Sequence, residues 1–512
     1  MDSIRILGIA FEPWETEIVA ASILKLRGMV TVAESALLIG DIWQIKRYSA
    51  IKNLERIKKE YDITAYSLEE EFLSWQYREF ADSNDSYRIY KWAIEKNLSR
   101  STRVLALSDH IFSCYERSPY YLPLISKEKE AILYSQYQKV SSVINDFDPN
   151  LILCIDTNYL IKNIVADLAK SQAIRMMTLI NSRVNNYYYF TDNFGLGSSP
   201  KLCERFKVIP KKSLEFAESF AKSREKQDPN SQNLYSGMTE SILEQLIRAK
   251  QKPLKSVLSN GLFAARDLFR RIIERDRSGI PNTNRYGSDW RRVWIYVLMN
   301  YLRKSRFILF GIPNAIKSVP DFPYIYYPLH YRPENSTLTL GNGADDESAI
   351  EFICRRLPYG LKLAIKENPS MVGDRRSSFY RKFMSVEGVV LVDPLVSTAK
   401  LADKSLGVIG ISGTALLEAG LKGIPSHAIG EPEFKEFLTS SGFDSVEKFL
   451  VDCTQQKAQS CKESLIRYLA LIFEWKIDVQ LGWDAVSSKE NIDLAANNIA
   501  DGLVRTISYE NS

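Results

Sequence analysis

The chain has 512 residues, 45% of them apolar and 25% charged, with a net charge of +5; this is the composition of a folded globular protein too long for a single core. No apolar run reaches the roughly 18–20 residues of a membrane span, and the net charge is too small to mark a nucleic-acid binder. The opening MDSIRILGIAFEPWETE carries acids where a signal peptide needs basic residues, and the six cysteines are scattered with no C-x-x-C pair, so a cytoplasmic protein with free thiols is expected, not a disulfide or zinc framework.

Residues 4–11, IRILGIAF, read as a buried strand, and ETEIVAASILKLRG reads as a helix stopping at Gly28. A strand followed by a helix opens an α/β domain. Residues 45–145 are charged and mostly helical in pattern. A strand at 151–155 then ends at Asp156, a helix covers about 159–170, and a second strand covers 175–181. This βαβ unit implies a parallel sheet. Ligands collect at the carboxyl ends of such strands, which places Asp156, Thr157, Asn158 and Arg183 where a ligand can sit.

Residues 201–305 are basic, aromatic and helical in pattern. In PLKSVLSNGLFAARDLFRRIIERDR the apolar residues recur at helical spacing, with Lys255, Arg266, Arg270, Arg271 and Arg275 largely elsewhere. Two readings stand. One is a surface helix lying on an anionic inner-membrane surface; the other is a helix packed on a domain with its basic face in water.

A second α/β domain is expected from residue 306 to about 480. RFILFGI, PYIYYPL, LKLAIKE, GVVLVDP, LGVIGIS and IPSHAIG read as strands, TALLEAGLKG as a helix, and 481–512 as a C-terminal helix packing back across the lobes. The expected fold is therefore α/β, with two Rossmann-like lobes (1–200 and 306–480) facing a central cleft and a basic helical segment between them.

Candidate chemistry gathers at the strand ends of the second lobe. Ser412, Gly413 and Thr414 join a buried strand to a helix, where free backbone N–H groups and the helix dipole favour an anion such as phosphate. Glu418, one turn on, can reach a sugar hydroxyl. Lys366 and Asn368 end another strand, the first able to neutralise phosphate and the second to hydrogen-bond it. Asp393 and Ser397 follow a third. YYPLHYRPENST places His330, Arg332 and Glu334 beyond a fourth, in a chain with only three histidines. Pro328 and Pro333 stiffen that loop, and His and Arg beside a phosphate stabilise a charged leaving group. Arg375 and Arg376 read as solvated. In the first lobe Asp156 and Glu12 are the candidate general bases, while Glu15 and Glu17 read as acids favouring a helix N-terminus. No D-x-D motif stands at a strand end to hold a metal ion, and Asp345 and Asp346 in GADDES are a poor substitute.

YIYYPLHYRPENST, LPYGLKLAIKENP, VVLVDPLVST and GISGTALLEAGLKGIPSHAIG, in that order over about 320–435, resemble the bacterial capsular polysaccharide biosynthesis proteins, a group that includes the β-Kdo transferases and has a GT-B-type fold. The resemblance implies a metal-independent glycosyltransferase with no tightly bound cofactor. It would move a sugar from a nucleotide-sugar donor (CMP-Kdo by the resemblance, or a UDP-sugar) to a polysaccharide or lipid-linked acceptor. It maps the family's phosphate turn onto Ser412, Gly413 and Thr414 and its His-Arg-Glu loop onto His330, Arg332 and Glu334. Where that family has Lys-Glu-His-Pro, this chain has Asn368, which donates a hydrogen bond but carries no positive charge. The same loop also looks like the His-Arg-Glu-Asn stretch of the nonhydrolysing UDP-N-acetylglucosamine 2-epimerases, here interrupted by Tyr331 and Pro333. An epimerase and a catalytically inactive capsule-assembly scaffold are the alternatives.

Overall fold

The computed structural model describes residues 3–11, 13–40, 50–67, 95–107, 126–156, 159–192, 209–225, 238–277, 290–331, 338–341, 344–373 and 375–510. Glu12, Arg332 and Glu334, together with Thr157 and Asn158, lie outside the described residues.

The first lobe runs β1 (Ile4–Ala10), α1 (Pro13–Leu26), β2 (Val32–Ile39), α2 (Ala50–Tyr61), β3 (Thr64–Ser67), α3 (Arg100–Leu107), α4 (Ser126–Phe147), β4 (Leu151–Ile155), α5 (Leu160–Ser171), β5 (Arg175–Asn181) and β6 (Tyr187–Thr191). A helical region follows: α6 (Lys211–Glu225), α7 (Met238–Gln251), α8 (Pro253–Arg277) and α9 (Trp290–Phe310). The second lobe runs β7 (Tyr324–Pro328), α10 (Asp346–Cys354), β8 (Lys362–Lys366), α11 (Ser377–Met384), β9 (Val389–Val392), α12 (Thr398–Lys404), β10 (Gly407–Gly410), α13 (Thr414–Leu421), β11 (Ser426–Ala428), β12 (Ser440–Ser441), α14 (Val446–Thr454) and α15 (Lys462–Trp475). The chain closes with β13 (Ile477–Asp478) and α16 (Lys489–Glu510).

Among the described residues there are two sheets. The first has the order β13-β6-β5-β4-β1-β2-β3 and the second β12-β11-β10-β7-β8-β9. Renumbered within each lobe, both contain the doubly wound order 3-2-1-4-5-6. Every pairing in the second sheet is parallel. In the first, β6 runs antiparallel to β5 and to β13. The protein is thus α/β with two Rossmann-like lobes. Each lobe reverses strand direction of winding once, between β1 and β4 and between β7 and β10, and a ligand crevice belongs at each reversal.

The strands are apolar because both their faces are covered. Ile6 through Phe11 are buried, with one cluster of side chains on each side of the first sheet. Gly8 makes this close packing possible: a Cβ there would lie 2.6 Å from Val19 and 2.9 Å from Ile23 and Leu37. In the second lobe two further clusters flank the sheet.

Several elements differ from the sequence expectation. Residues 306–310 of RFILFGI end helix α9, not a strand. Ser305, Phe307 and Ile308 are buried while Arg306, Leu309 and Phe310 are exposed, a helical alternation that a short apolar run conceals. β2, β3 and β6 are strands that the apolar pattern does not reveal: β2 carries the polar Glu34 and Ser35 near its start, β3 is four residues long, and β6 is largely tyrosine. β13 joins the first sheet through β6, and α16 packs on α1, with Gly502 against Ile477. Among the described residues no helix is long and apolar enough to cross a membrane.

Candidate functional site

At the reversal in the second lobe, β7 delivers His330 and β10 delivers Ser412. The His330 Nδ1 lies 3.0 Å from Asp346 Oδ1, at the start of α10. A carboxylate only accepts, so the ring proton sits on Nδ1. Nε2 is then an acceptor, and the Ser412 N–H donates to it at 3.3 Å. Gly413 is what lets the imidazole lie over the turn: a Cβ there would be 3.3 Å from Nε2. The turn expected to cradle a phosphate therefore holds a buried histidine, with α13 starting beside it. Gly413 caps α13 without a side-chain bond; the Leu416 N–H turns back to the Gly413 carbonyl at 3.2 Å, and the helix N-terminus keeps the positive dipole end that suits an anion. Thr414 and Glu418 stand four apart on one helix face and are half-buried.

Asp346 is fully buried and gathers four donors. The Tyr327 hydroxyl donates to it at 3.1 Å, the His330 backbone N–H at 3.4 Å, and Arg375 at 2.6 Å, besides the imidazole. Arg375 also donates to the His330 carbonyl at 2.6 Å and pairs with Glu367 at 2.8 Å. The Glu367 carboxylate accepts from the Tyr380 hydroxyl at 2.6 Å and from the Asn368 N–H at 2.8 Å. The reading of Arg375 as solvated is wrong: the residue is 8% exposed and anchors this network. Burial would push its guanidinium down, but Glu367 and Asp346 outweigh that and hold it charged. Neither Asp346 nor Glu367 was singled out as a partner from sequence; the pairing joins residues up to 45 positions apart, beyond any local motif.

Lys366 ends β8 and is 4% exposed. Its Nζ donates to Thr398 Oγ1 at 2.6 Å. Burial lowers this ammonium from 10.5 to about 8, against the opposing charge of Asp393. A lysine depressed in this way contributes full stability above 10.5 and loses it as pH falls through about 8. Lys366→Met should therefore raise the stability at pH 7, by up to roughly 3 kcal/mol, while removing the cation. Urea melts of the two proteins measure this; a less stable variant would mean that the Thr398 bond outweighs the burial cost. Asn368 is half-buried, and its Oδ1 accepts the Ser370 N–H at 3.0 Å to cap a short turn. Asp393 pairs with Lys250 at 3.3 Å, and Ser397 caps α12.

The reversal in the first lobe carries a different chemistry. Lys162 of α5, with a fully buried side chain, lies 2.8 Å from Glu15 Oε1 and 2.8 Å from Asp156 Oδ1. Its ammonium also donates to the Ile155 carbonyl. Burial would lower this lysine, but Asp156 and Glu15 together raise it. Glu15 accepts the Phe11 N–H at 2.7 Å, and burial raises its carboxyl to about 7 despite Lys162. Asp156, in a left-handed conformation with φ 51°, is the partly open member, its side chain 28% exposed. Glu15 is thus part of an ion triad and not a plain helix-end acid. Glu17 on α1 is half-buried, paired with Arg56 and accepting from the Tyr61 hydroxyl at 3.2 Å.

Arg183, just past β5, connects the two edges. It donates to the Ser412 carbonyl at 2.7 Å and pairs with Glu433 at 3.1 Å. Val184 and Tyr189 of the first lobe share a core cluster with Phe434 and Tyr468. Arg183 thus joins the carboxyl end of β5 to that of β10, and each edge carries both signs of charge: Lys162 with Glu15 and Asp156 on the first, Arg375 with Asp346 and Glu367 on the second.

No family model and no curated protein matches this chain. Among solved structures it is similar to a UDP-GlcNAc 2-epimerase from Neisseria meningitidis bound to UDP-GlcNAc, at 13% identity and a TM-score of 0.24, covering 92% of this chain and 98% of that one. It is also similar to the Methanocaldococcus jannaschii UDP-GlcNAc 2-epimerase in complex with UDP-GlcNAc and UDP, at 10% identity and a TM-score of 0.26, covering 99% and 100%. A glycosyltransferase from Rickettsia africae matches at 8% identity and a TM-score of 0.25, covering all of both chains. Similarities at this level add nothing to the fold read from the two sheets themselves.

Among the described residues, then, His330, Ser412, Gly413, Thr414, Glu418, Lys366 and Asn368 lie along one strand-end edge, and Asp156 lies on the edge of the other lobe. Lys162 was missed because a lysine inside an apolar helix looks like a surface residue until its two carboxylates are seen beneath it.

Proposed function

We propose that the protein is a glycosyltransferase of bacterial surface, capsular polysaccharide synthesis. It moves a sugar from a nucleotide-activated donor to a polysaccharide or glycolipid acceptor, at the cytoplasmic periphery of the inner membrane. One observation supports this best: the strand-end edges of two Rossmann-ordered sheets meet through Arg183 and Ser412, with the N-terminus of α13 and Lys366 on one edge and the partly open Asp156 on the other.

In this reading the second lobe binds the donor. The N-terminus of α13, Thr414 and Lys366 face the phosphates, Glu418 a sugar or ribose hydroxyl, and His330 lines the same turn. Arg332 and Glu334 follow His330 in the sequence and are assigned to the donor side with it. The bond from the anomeric carbon to the phosphate oxygen breaks as the acceptor oxygen attacks, and the negative charge on the leaving phosphate is met by these fixed groups without need of a divalent ion. The acceptor's proton goes to a carboxylate of the first lobe. Asp156, oriented by Lys162 and partly open, fills that role better than the buried Glu15; Glu12 is the other candidate. Kdo delivered from CMP-Kdo is the donor that the resemblance supports, and a UDP-sugar is its rival.

A thermal-shift panel of CMP, CDP, UMP, UDP and GDP tests this, on the wild type and on Ser412→Ala/Thr414→Ala. A nucleotide at 100 times its dissociation constant stabilises the folded protein by about 2.7 kcal/mol. CMP stabilisation lost in the variant is the expected result. A response to UDP with turnover of UDP-GlcNAc in the absence of acceptor would replace the proposal with an epimerase. Silence towards every nucleotide would leave the scaffold reading.

A further inference from the structure

Among the described residues, the pair α8 and α9 presents an apolar surface that is left exposed. The two helices pack together, Gly261 against the Tyr301 ring. Along α8, Leu254, Leu258, Leu262 and Phe269 fall on one face at spacings of four, four and seven, and they are 73%, 70%, 74% and 64% exposed. On α9, Leu302 and Phe310 are also exposed. The core beneath is small, with Leu246, Phe307 and Val372 as its buried members. Soluble monomers seldom expose contiguous apolar patches beyond a few hundred Å², so a stripe of this length calls for an occupant.

Charge identifies the occupant. Exposed Lys255 and Arg266 border the stripe on α8. The α8 sequence holds six basic residues and three acidic ones, and the α9 sequence five basic residues and no acid. A second copy docking here by twofold symmetry would set like charges against like. An anionic surface would meet both the leucines and the cations. At the C-terminal end of α9 lies a cavity of about 220 Å³ lined by Arg303 and Arg306 of α9, by Ser377, Tyr380 and Arg381 of α11, and by Arg375, which is already paired with Asp346 and Glu367. No carboxylate lines it among the described residues, and Arg306 and Arg381 are exposed. Such a cluster is suited to the planar, multidentate recognition of a phosphate.

We propose that α8 and α9 lie on an anionic phospholipid bilayer, their leucine and phenylalanine stripe in the acyl boundary, with the arginine cavity holding a lipid phosphate. A basic amphipathic face of this kind adsorbs in the plane of the interface. The exposed stripe is separate from the strand ends; the cavity borders Arg375 and Tyr380 of the His330 network, but the cations tested, Arg306 and Arg381, lie outside that network.

Full-length protein is sedimented with vesicles of phosphatidylcholine alone and of equimolar phosphatidylcholine and phosphatidylglycerol. Binding to the second kind only is expected. Leu258→Glu/Leu262→Glu should abolish it without changing the melting temperature, because both positions are already exposed. Arg306→Gln/Arg381→Gln should weaken it by roughly 30-fold, the effect of removing two basic residues at such a surface. Absence of vesicle binding, or binding that survives the leucine substitutions, overturns the proposal. A dimer in sedimentation equilibrium that the leucine variant dissociates overturns it in favour of a second copy. If inorganic phosphate shifts the melting temperature, and the arginine variant loses that shift but keeps its vesicle binding, the cavity serves a free phosphate and the headgroup assignment fails.

Discussion

Replacing Arg375 with alanine should destabilise the protein by about 3–5 kcal/mol, the cost of breaking a buried ion pair by removing one partner. Two carboxylates depend on this guanidinium, Asp346 at 2.6 Å and Glu367 at 2.8 Å, and the side chains of both are fully buried. Without Arg375, Glu367 keeps the Tyr380 hydroxyl and the Asn368 N–H, while Asp346 keeps His330 and Tyr327. These neutral donors satisfy lone pairs but leave the charges uncompensated. Burial already raises the Glu367 carboxyl, with Arg375 as the chief opposing influence, so the variant's Glu367 should take up a proton more readily. The deficit should therefore narrow as pH falls, since a protonated carboxyl no longer needs the cation. Urea unfolding at neutral and acid pH measures both effects. A loss below about 1 kcal/mol would return Arg375 to the surface role suggested by its sequence context. The variant also removes the donor to the His330 carbonyl, so the imidazole over Ser412 loses one of its supports.

Lys162→Met should cost a similar 3–5 kcal/mol at pH 8, for the same reason in the other lobe. Methionine fills much of the lysine's volume, which keeps the cavity contribution small. Glu15 and Asp156 would then face each other without a cation. In the wild type the Glu15 carboxyl is raised to about 7 even with Lys162 present. An acid raised by folding contributes stability that is complete below its unfolded value and is lost as pH rises through the folded one. Removing Lys162 raises Glu15 further, so the deficit should be largest above pH 7 and shrink towards pH 5, where Glu15 is protonated. Chemical denaturation of wild type and variant across that range checks the slope. A deficit independent of pH would show that packing, and not the charge of Lys162, holds this crevice together.

The buried strands show how far sequence reading reaches. β1, β4, β5, β7, β8 and β10 are apolar runs closed by a polar residue or a glycine, and burial on both faces writes that pattern directly into composition. The first strand and the unit from 151 to 181 are legible for this reason. β2, with the polar Glu34 and Ser35 at its start, and β6, with its three tyrosines, are not. The end of α9 misleads for the converse reason: FILF is as apolar as a strand, and only its contacts with Leu246 and Val372 separate its buried side from its open side.

The candidate site divides along the same line. Residues at strand ends could be named from sequence because a parallel sheet places every strand's carboxyl end on one edge, so His330, Lys366 and Ser412 follow from the order of strands and loops. Their partners could not. Asp346 under His330, Arg375 between Asp346 and Glu367, Lys162 between Glu15 and Asp156, and Arg183 across to Ser412 join positions 6 to 229 residues apart. The amino-acid pattern by itself determined two α/β lobes, their strand-end edges and the residue types offered there, because hydrophobic periodicity and turn chemistry act locally. Only the tertiary structure decided which charges are buried together, since the cost of removing a charge from water, and the partner that offsets it, exist only once distant segments have packed.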